Sequence, residues 1–322
     1  MWQPSCTIDT LKRRAEIIAT IREFFRLRHV IEVETPVLSQ GTVTDPYLTS
    51  LTSTYLLPGT KDPATLYLQT SPEYAMKRLL AAGSGAIYQI SKAFRDDRLS
   101  TQHNPEFTLL EWYRPGFSHH DLMIEIDGLL RKILQCESAQ CFHYGELFQQ
   151  YCAIDPYQTS VTELKNCAEL HGLVIHHAET ILDITTWLQL LMSELIEPHL
   201  GFNQRPAFVI DFPSAQAALA RINPGPPPTA ERFEVYWQGM ELANGFHELL
   251  DPTEQRRRLM ADNAYRIAND LSEIPLDERF LAALEHGLPA CSGVALGIDR
   301  LMMAALGHKR IQDVMPFPVD RA

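Results

Sequence analysis

The sequence holds no run of apolar residues long enough to cross a bilayer, which takes about 18 or more. The nearest stretch, ILDITTWLQLLMSELI at 181–196, is broken by Asp183, Gln189 and Glu194 and reads as an amphipathic helix. No excess of positive charge is present either: 28 Lys and Arg stand against 40 Asp and Glu, a net charge of −12. A protein that holds a nucleic-acid backbone through its field carries a basic stripe or tail. The only dense basic runs here, Lys12–Arg14 and Arg256–Arg258, fall in helix-like segments and read as solvated faces.

Other absences narrow the chemistry. None of the six cysteines (6, 136, 141, 152, 167 and 291) forms a CxxC pair. Four of them lie between 136 and 167, near His143 and His171, and are expected to be ordinary reduced thiols rather than a zinc site. The first 18 residues have no apolar core behind a basic end, so they do not read as a secretory signal, and a cytoplasmic location is expected. AGSGA at 82–86 has no GK[ST] and no helix after it, so it is a turn rather than a phosphate loop. Neither Ser84 nor any cysteine has a His/Asp arrangement that would make a hydrolase. There is no internal repeat.

What is there suffices for a large core: 322 residues, 45% of them hydrophobic. Leu11, Ile18, Ile21 and Phe25 recur at helical spacing between Thr10 and Arg28. VIEVETPVLS (30–39) alternates as a strand with Pro36 near its end, and TLYLQT (65–70) is another. A helix follows in SPEYAMKRLLAAG, with Ser71 as N-cap, Pro72 at the first helical position and Gly83 just past the end. AIYQISKAFRDD (86–97) and HNPEFTLLEWYR (103–114) read as an antiparallel pair.

Residues 119–200 look mostly helical, and RINPGPPPT (221–229) is either a linker or a surface loop. Two strands then meet at Gly239, Asp251–Glu254 opens a long helix as a capping box, and CSGVALGIDRLMMAAL reads as strand, glycine turn and helix. Antiparallel neighbours with helices grouped around them predict an α+β fold.

Polar residues recur on these strand faces. Side chains alternate at period two, so Arg95 and Asp97 share a face, as do Phe107, Glu111 and Tyr113. Glu234, Tyr236 and Gln238 align, and so do Asn244, Phe246 and Glu248, with Glu241 just before them. Any one of these could be an edge residue or half of an ion pair. Together they are too many buried carboxylates to leave without a purpose.

Arg95 has the planar fork that grips a carboxylate and a phosphate. Glu234 and Glu241 are hard oxygen ligands suited to Mg²⁺ on a polyphosphate. Phe107 can stack on a purine. Glu111 and Glu248, with Tyr113, make an anionic slot for an ammonium, and Arg300 could meet the outer phosphates of a nucleotide.

In this order the segments resemble the catalytic domain of class II aminoacyl-tRNA synthetases, and its lysine branch in particular. VIEVETPVLS is similar to the first signature, which in the family belongs to a homodimer interface. AFRDD…HNPEFTLLEWYR resembles the second, SGVALGIDRLMMAAL the third, and RFEVYWQGMELANGFHEL the lysine branch's own segment. The resemblance runs from the first helix to IQDVMPFP at 311–318.

The resemblance implies roles. Arg95 would hold the substrate carboxylate and the α-phosphate. His103, Asn104 and Arg300 would sit around the ATP phosphates, and Phe107 under the adenine. Glu234 and Glu241 would bind Mg²⁺. Glu73 would face the backbone-side amine, and Glu111, Tyr113 and Glu248 the side-chain ammonium. Asn244 would help hold the carboxylate, and Phe246 would pack on the aliphatic stem. Asp97 stands where the family usually has glutamate on the adenine side.

Only about 35 residues precede Pro36, too few for the anticodon-binding barrel of a lysyl-tRNA synthetase, so one catalytic domain over 1–322 is expected, and tRNA is an unexpected partner. The pattern is most similar to the family of ligases that attach (R)-β-lysine to a lysine side chain of elongation factor P. Ala295, in place of a glycine of ordinary lysyl-tRNA synthetases, would reshape the amine end of the slot. The rivals are a truncated lysyl-tRNA synthetase, an asparagine synthetase of the same fold, disfavoured by Glu111 with Glu248, and a catalytically silent paralogue.

Overall fold

The computed structural model describes residues 2–175, 178 and 181–322. The chain divides into two compact units, one built from residues 1–118 and 248–322 and the other from 119–247.

In the first unit, α1 (Ile8–Arg26) is capped by Thr7, whose hydroxyl accepts from Thr10 N. Its buried stripe of Ile17, Ile21, Phe24 and Phe25 meets the strands β5 (Ile87–Phe94) and β6 (Glu106–Pro115). Phe25 stacks on Tyr88 at 4.5 Å and meets Trp112 edge-on at 5.2 Å. One face of the β5/β6 pair is thereby sealed, and the other, with Gln89, Arg95, Phe107 and Glu111, is left for chemistry.

β1 (Ile31–Glu32) runs parallel to β5, while β5/β6 and β6/β12 (Cys291–Gly297) are antiparallel. A small antiparallel sheet orders β2 (Leu38–Ser39), β4 (Ala64–Leu68) and β3 (Thr52–Tyr55). The expected strand over 30–39 is therefore two short ones in different sheets. Pro36 lies between them, with no N–H to continue a ladder.

α2 (Glu73–Ala81) begins one residue later than expected, with Pro72 at the cap position. Ser71 Oγ still accepts from Glu73 N at 3.1 Å but donates its proton to Glu111, 2.6 Å away. Gly83 ends the helix at φ +86°, where a side chain would be strained. α2 packs with α7 (Pro252–Ala268) and α8 (Glu278–Gly287) around Met76, Leu80, Leu259, Phe280 and Leu284. α7 is capped by Asp251, which accepts from Thr253 N and Glu254 N, but the expected capping box is only half formed, since the Glu254 carboxylate accepts from Arg257 and Arg258 instead.

The last helix of this unit, α9 (Ile298–Leu306), is tied down at Asp299. Oδ1 lies 2.7 Å from Arg14 Nη1, and Oδ2 accepts from Thr108 N at 2.7 Å.

The second unit carries α3 (His119–Leu134), α4 (Tyr144–Cys152), α5 (Val161–Leu170) and α6 (Ile184–Leu191). Its strands are β7 (Gln140–His143), β8 (Ala207–Pro213), β9 (Ile222–Asn223), β10 (Thr229–Trp237) and β11 (Met240–His247). β7 runs parallel to β8, and β8, β10 and β11 are antiparallel in that order.

The strand at β7 interrupts the helical stretch expected over 119–200. RINPGPPPT is a loop within this unit, because Ile222 and Asn223 pair with Ala230 and Thr229. Gln238 and Gly239, both at positive φ, make the two-residue turn joining β10 to β11. The core holds Phe148, Leu164, Trp187, Leu191, Val209 and Tyr236. Mixed sheets with helices grouped around them are an α+β fold, as the pattern predicts.

Candidate functional site

In the first unit, register rather than sequence distance assembles the polar face. Glu111 stands opposite Gln89 on β5 and opposite Ala295 on β12. Cross-strand partners share a face, so these three form one row. Tyr113 stands opposite Gly293 in the next row.

Glu111 is 2% exposed and accepts from Ser71 Oγ at 2.6 Å and Tyr113 OH at 2.7 Å. Burial, and then the charge of Glu73, push its carboxyl up to about 7, against the pull of those two hydroxyls and of Lys77.

Glu248 is the more enclosed carboxylate, at 1% exposure. Its Oε2 lies 2.5 Å from Lys77 Nζ, which also lies 2.5 Å from Glu73 Oε1. Burial pushes Glu248 up to about 8 against the pull of the Lys77 ammonium. Burial alone would lower Lys77, but the two carboxylates outweigh it and hold the ammonium above its ordinary range.

Oε1 of Glu248 has no hydrogen-bond donor among the described residues. A Cβ added at Gly293 would fall 2.6 Å from that oxygen and closer still to the Tyr113 ring, so only glycine fits there. Glu73, Glu111, Tyr113 and Glu248 thus lie together around a resident lysine.

The nucleotide-side residues fall on the strand ends and the β5–β6 loop. β5 ends at Phe94, so Arg95 and Asp97 lie past the strand, although Arg95 N still bonds Pro105 O at 3.0 Å. The Arg95 guanidinium lies over the Phe107 ring at 5.1 Å. Arg300 Nη2 donates to His103 Nε2 at 2.9 Å, which leaves Nδ1–H for Ser100 Oγ, also at 2.9 Å. Asp97 is half-buried in the loop. Asn104 is buried, and its amide is engaged by the chain itself, accepting from Val319 N at 3.0 Å and donating to Glu106 O at 2.5 Å.

In the second unit, Glu234 stands opposite Asn244, and Glu241 opposite Tyr236 beyond a bulge. Glu234 accepts from Tyr236 OH and lies 2.5 Å from Arg232 Nη2. Burial raises its carboxyl, Arg232 pulls it down, and the charge of Glu241 pushes it up again. Arg232 also donates through Nε to Asn244 Oδ1 at 3.2 Å and through Nη1 to Gln216 O at 2.8 Å. Phe246 is half-buried against the core of this unit.

Three residues of this machinery went unread in the sequence. Lys77 sits inside SPEYAMKRLL at a buried helical position, where spacing alone would have asked for an apolar residue. Arg232 precedes Glu234 by two and shares its face, so period two could have found it. Gln89, buried with Oε1 unpartnered among the described residues, needed the register with Glu111.

All six cysteines are free. Cys167 Sγ donates to Cys152 O at 3.7 Å, the behaviour of a buried thiol. No helix among the described residues is long and apolar enough to cross a membrane.

A family model for class II tRNA synthetases of the D, K and N type matches residues 5–321. The chain belongs to the class II aminoacyl-tRNA synthetase family. Its similarity to individual members of the family extends over the full length. It is 53% identical to the elongation factor P–(R)-β-lysine ligase of Haemophilus influenzae (strain PittGG), over 100% of this chain and 98% of that one. A protein of the same name from Vibrio cholerae is also 53% identical over the same shares, and one from Proteus mirabilis 51%. Class II membership agrees with the α+β architecture and with the signatures around Arg95 and Arg300.

Proposed function

We propose that this chain is an ATP-dependent ligase that adenylates (R)-β-lysine, or lysine, and transfers it to a lysine side chain of elongation factor P. The observation that carries the substrate class is the buried slot. Glu73, Glu111 and Glu248 bring three carboxylates against one resident ammonium, Lys77, and Glu248 Oε1 has no donor among the described residues. An excess of buried negative charge is costly unless a cation completes it. A substrate ammonium supplies that cation.

The reaction needs little covalent help from the protein. The amino acid carboxylate attacks the α-phosphorus of ATP in line, and pyrophosphate leaves. The acceptor amine then attacks the acyl carbon of the mixed anhydride, releasing AMP and one proton. Arg95, held over Phe107, would bridge the carboxylate and the α-phosphate, and Phe107 would stack on the adenine. Arg300 would meet the outer phosphates, with His103 fixing its fork. Such groups act by placing reactants and by countering charge that develops on the phosphorus oxygens.

Glu234 and Glu241 fit a hard divalent cation. Both offer only oxygen, and their mutual repulsion is the strain that Mg²⁺ would relieve. When bound, Mg²⁺ supplies neutralisation of the polyphosphate. Arg232 would orient Glu234 and Asn244, with Asn244 turned to the substrate carboxylate and Phe246 to its aliphatic stem.

We read residues 1–322 as one catalytic domain made of two units, acting as a cytoplasmic homodimer. Supporting the dimer, Ile31, Val37 and Leu38 of the first signature stand exposed. Ala295, in the row of Glu111, would trim the slot at the substrate's amine end.

The deciding experiment is intact-mass analysis of elongation factor P after incubation with the enzyme, ATP and each lysine isomer, with tRNA acylation in parallel. A mass increase of one lysyl group on the factor is expected. Acylated tRNA with an unmodified factor would establish a truncated lysyl-tRNA synthetase instead, and absence of ATP–pyrophosphate exchange with both isomers would remove the ligase reading.

A further inference from the structure

On the second unit stands a cluster that adenylation does not use. His119 opens α3, Glu231 lies on β10 and His247 ends β11. One potential ligand atom from each lies within 4.8 Å of the others. We propose that His119, Glu231 and His247 form a three-ligand site for a divalent transition-metal ion of the zinc class.

The backbone fixes two of the three ligands. Arg221 N donates to His247 O at 2.8 Å, and Glu231 N donates to Arg221 O at 2.9 Å, so residue 221 clips the two strands together beside the cluster. Period two turns Glu231 and His247 to the face opposite Glu234 and Asn244. The site is therefore separate from the carboxylates assigned to Mg²⁺.

His119 marks the cluster as more than a histidine–carboxylate pair. It is 9% exposed, and its Nδ1 has no hydrogen-bond partner among the described residues. A buried polar atom left so costs on the order of 1–3 kcal/mol, and a bound ion is one way to satisfy the ring.

His247 Nδ1 lies 2.6 Å from Glu231 Oε2. An ion would replace that contact. Arg221 Nε competes for Glu231 Oε1 only from 3.7 Å, on a side chain that is 57% exposed and free to swing out. Two imidazole nitrogens and one carboxylate oxygen, with a position left for water, are a set that zinc accepts and that magnesium, preferring oxygen alone, does not. A bound ion would pin the first turn of α3 to the hairpin that carries Glu234, Glu241 and Asn244.

The test uses untagged full-length protein, stripped with a chelator and titrated with Zn²⁺ and with Co²⁺ as a coloured probe. One equivalent of each should bind. The Co²⁺ form should show visible d–d absorption without a near-ultraviolet thiolate band, and Zn²⁺ should raise Tm. His119→Ala and His247→Ala should each lose the equivalent while keeping the wild-type circular dichroism. A thiolate band would place the ion on cysteine, and that result, or no saturable uptake by the wild type, or full uptake by a folded His119→Ala, would overturn the proposal. The wild-type Co²⁺ spectrum decides the matter even if a variant does not fold.

Discussion

Lys77 Nζ lies 2.5 Å from Glu248 Oε2, and both side chains are shut away from water. The contact orders the whole slot, because the same ammonium holds Glu73 at 2.5 Å one helical turn back. A buried ion pair is poor evidence of net stabilisation, but removing one partner strands the other. Lys77→Met should therefore cost about 3–5 kcal/mol in urea unfolding. Lys77→Met with Glu248→Gln should recover a good part of that loss, since the stranded charge is gone. If the double variant is no more stable than the single, the pair is not coupled as its geometry implies.

Glu111 yields a prediction in which function and stability move in opposite directions. Its carboxyl is raised to about 7, so the slot gains a charge as pH rises from 6 to 8. KM for the amino acid should fall over that range while KM for ATP changes little. Glu111→Gln should raise KM for the amino acid and flatten its pH profile.

The stability sign follows from the same shift. A carboxyl whose folded pKa lies above its unfolded value stabilises the fold below about 4.5, and that advantage is lost as pH rises through 7. The neutral variant should therefore be more stable than the wild type at pH 8, by up to about 3 kcal/mol, and no better at pH 4. Equal KM damage for ATP and amino acid would make Glu111 a structural residue.

Arg232 joins two groups with different proposed tasks, Glu234 and Asn244. Arg232→Met removes the cation paired with Glu234 and leaves its buried carboxylate beside Glu241 with the Tyr236 hydroxyl as a neutral donor. The Glu234 carboxyl should then rise further, and ATP–pyrophosphate exchange should need more Mg²⁺ and fall by about 30-fold or more, the worth of some 2–3 kcal/mol. Arg232→Lys should rescue only part, because a single ammonium cannot reach both partners with a planar fork. Exchange that is unaffected in Arg232→Met at any Mg²⁺ concentration would rule out this positioning role.

The sequence was most legible where one local rule governs. Period two alone places Phe107, Glu111 and Tyr113 on one face, and their partners on β5, Ala93, Gln89 and Ile87, alternate in the same way. It also aligns Glu234 with Tyr236. Boundary signals located α2 and α7 to within a residue or so.

Legibility failed where long-range packing overrides a local rule. Lys77 is charged at a position whose helical spacing demands an apolar side chain, and its partner Glu248, 171 positions away, is one that no local pattern shows. β7 is four residues whose pairing depends on β8, far along the chain, so no local pattern announces it. A proline is tolerable near a strand end, yet Pro36 separates strands that belong to different sheets.

The wall of the slot on β12 alternates Gly293 and Ala295, opposite Tyr113 and Glu111 respectively. The two positions should respond differently to one methyl group. At 293 a Cβ meets Glu248 Oε1 at 2.6 Å and the ring of Tyr113, both buried, so Gly293→Ala must displace the slot itself. It should lower stability by about 1–3 kcal/mol and abolish saturation by the amino acid. At 295 the side chain is half-buried and already accommodated. Ala295→Gly should therefore leave the fold intact and open room beside Glu111. Its effect should appear as a change in the ratio of kcat/KM for β-lysine over lysine, bounded at about 10–200-fold because a methyl-sized change is worth about 1–3 kcal/mol. Competition between the two isomers for one pool of elongation factor P, read by intact mass, measures that ratio directly. An unchanged ratio in Ala295→Gly would remove Ala295 from substrate selection and leave discrimination to the carboxylates.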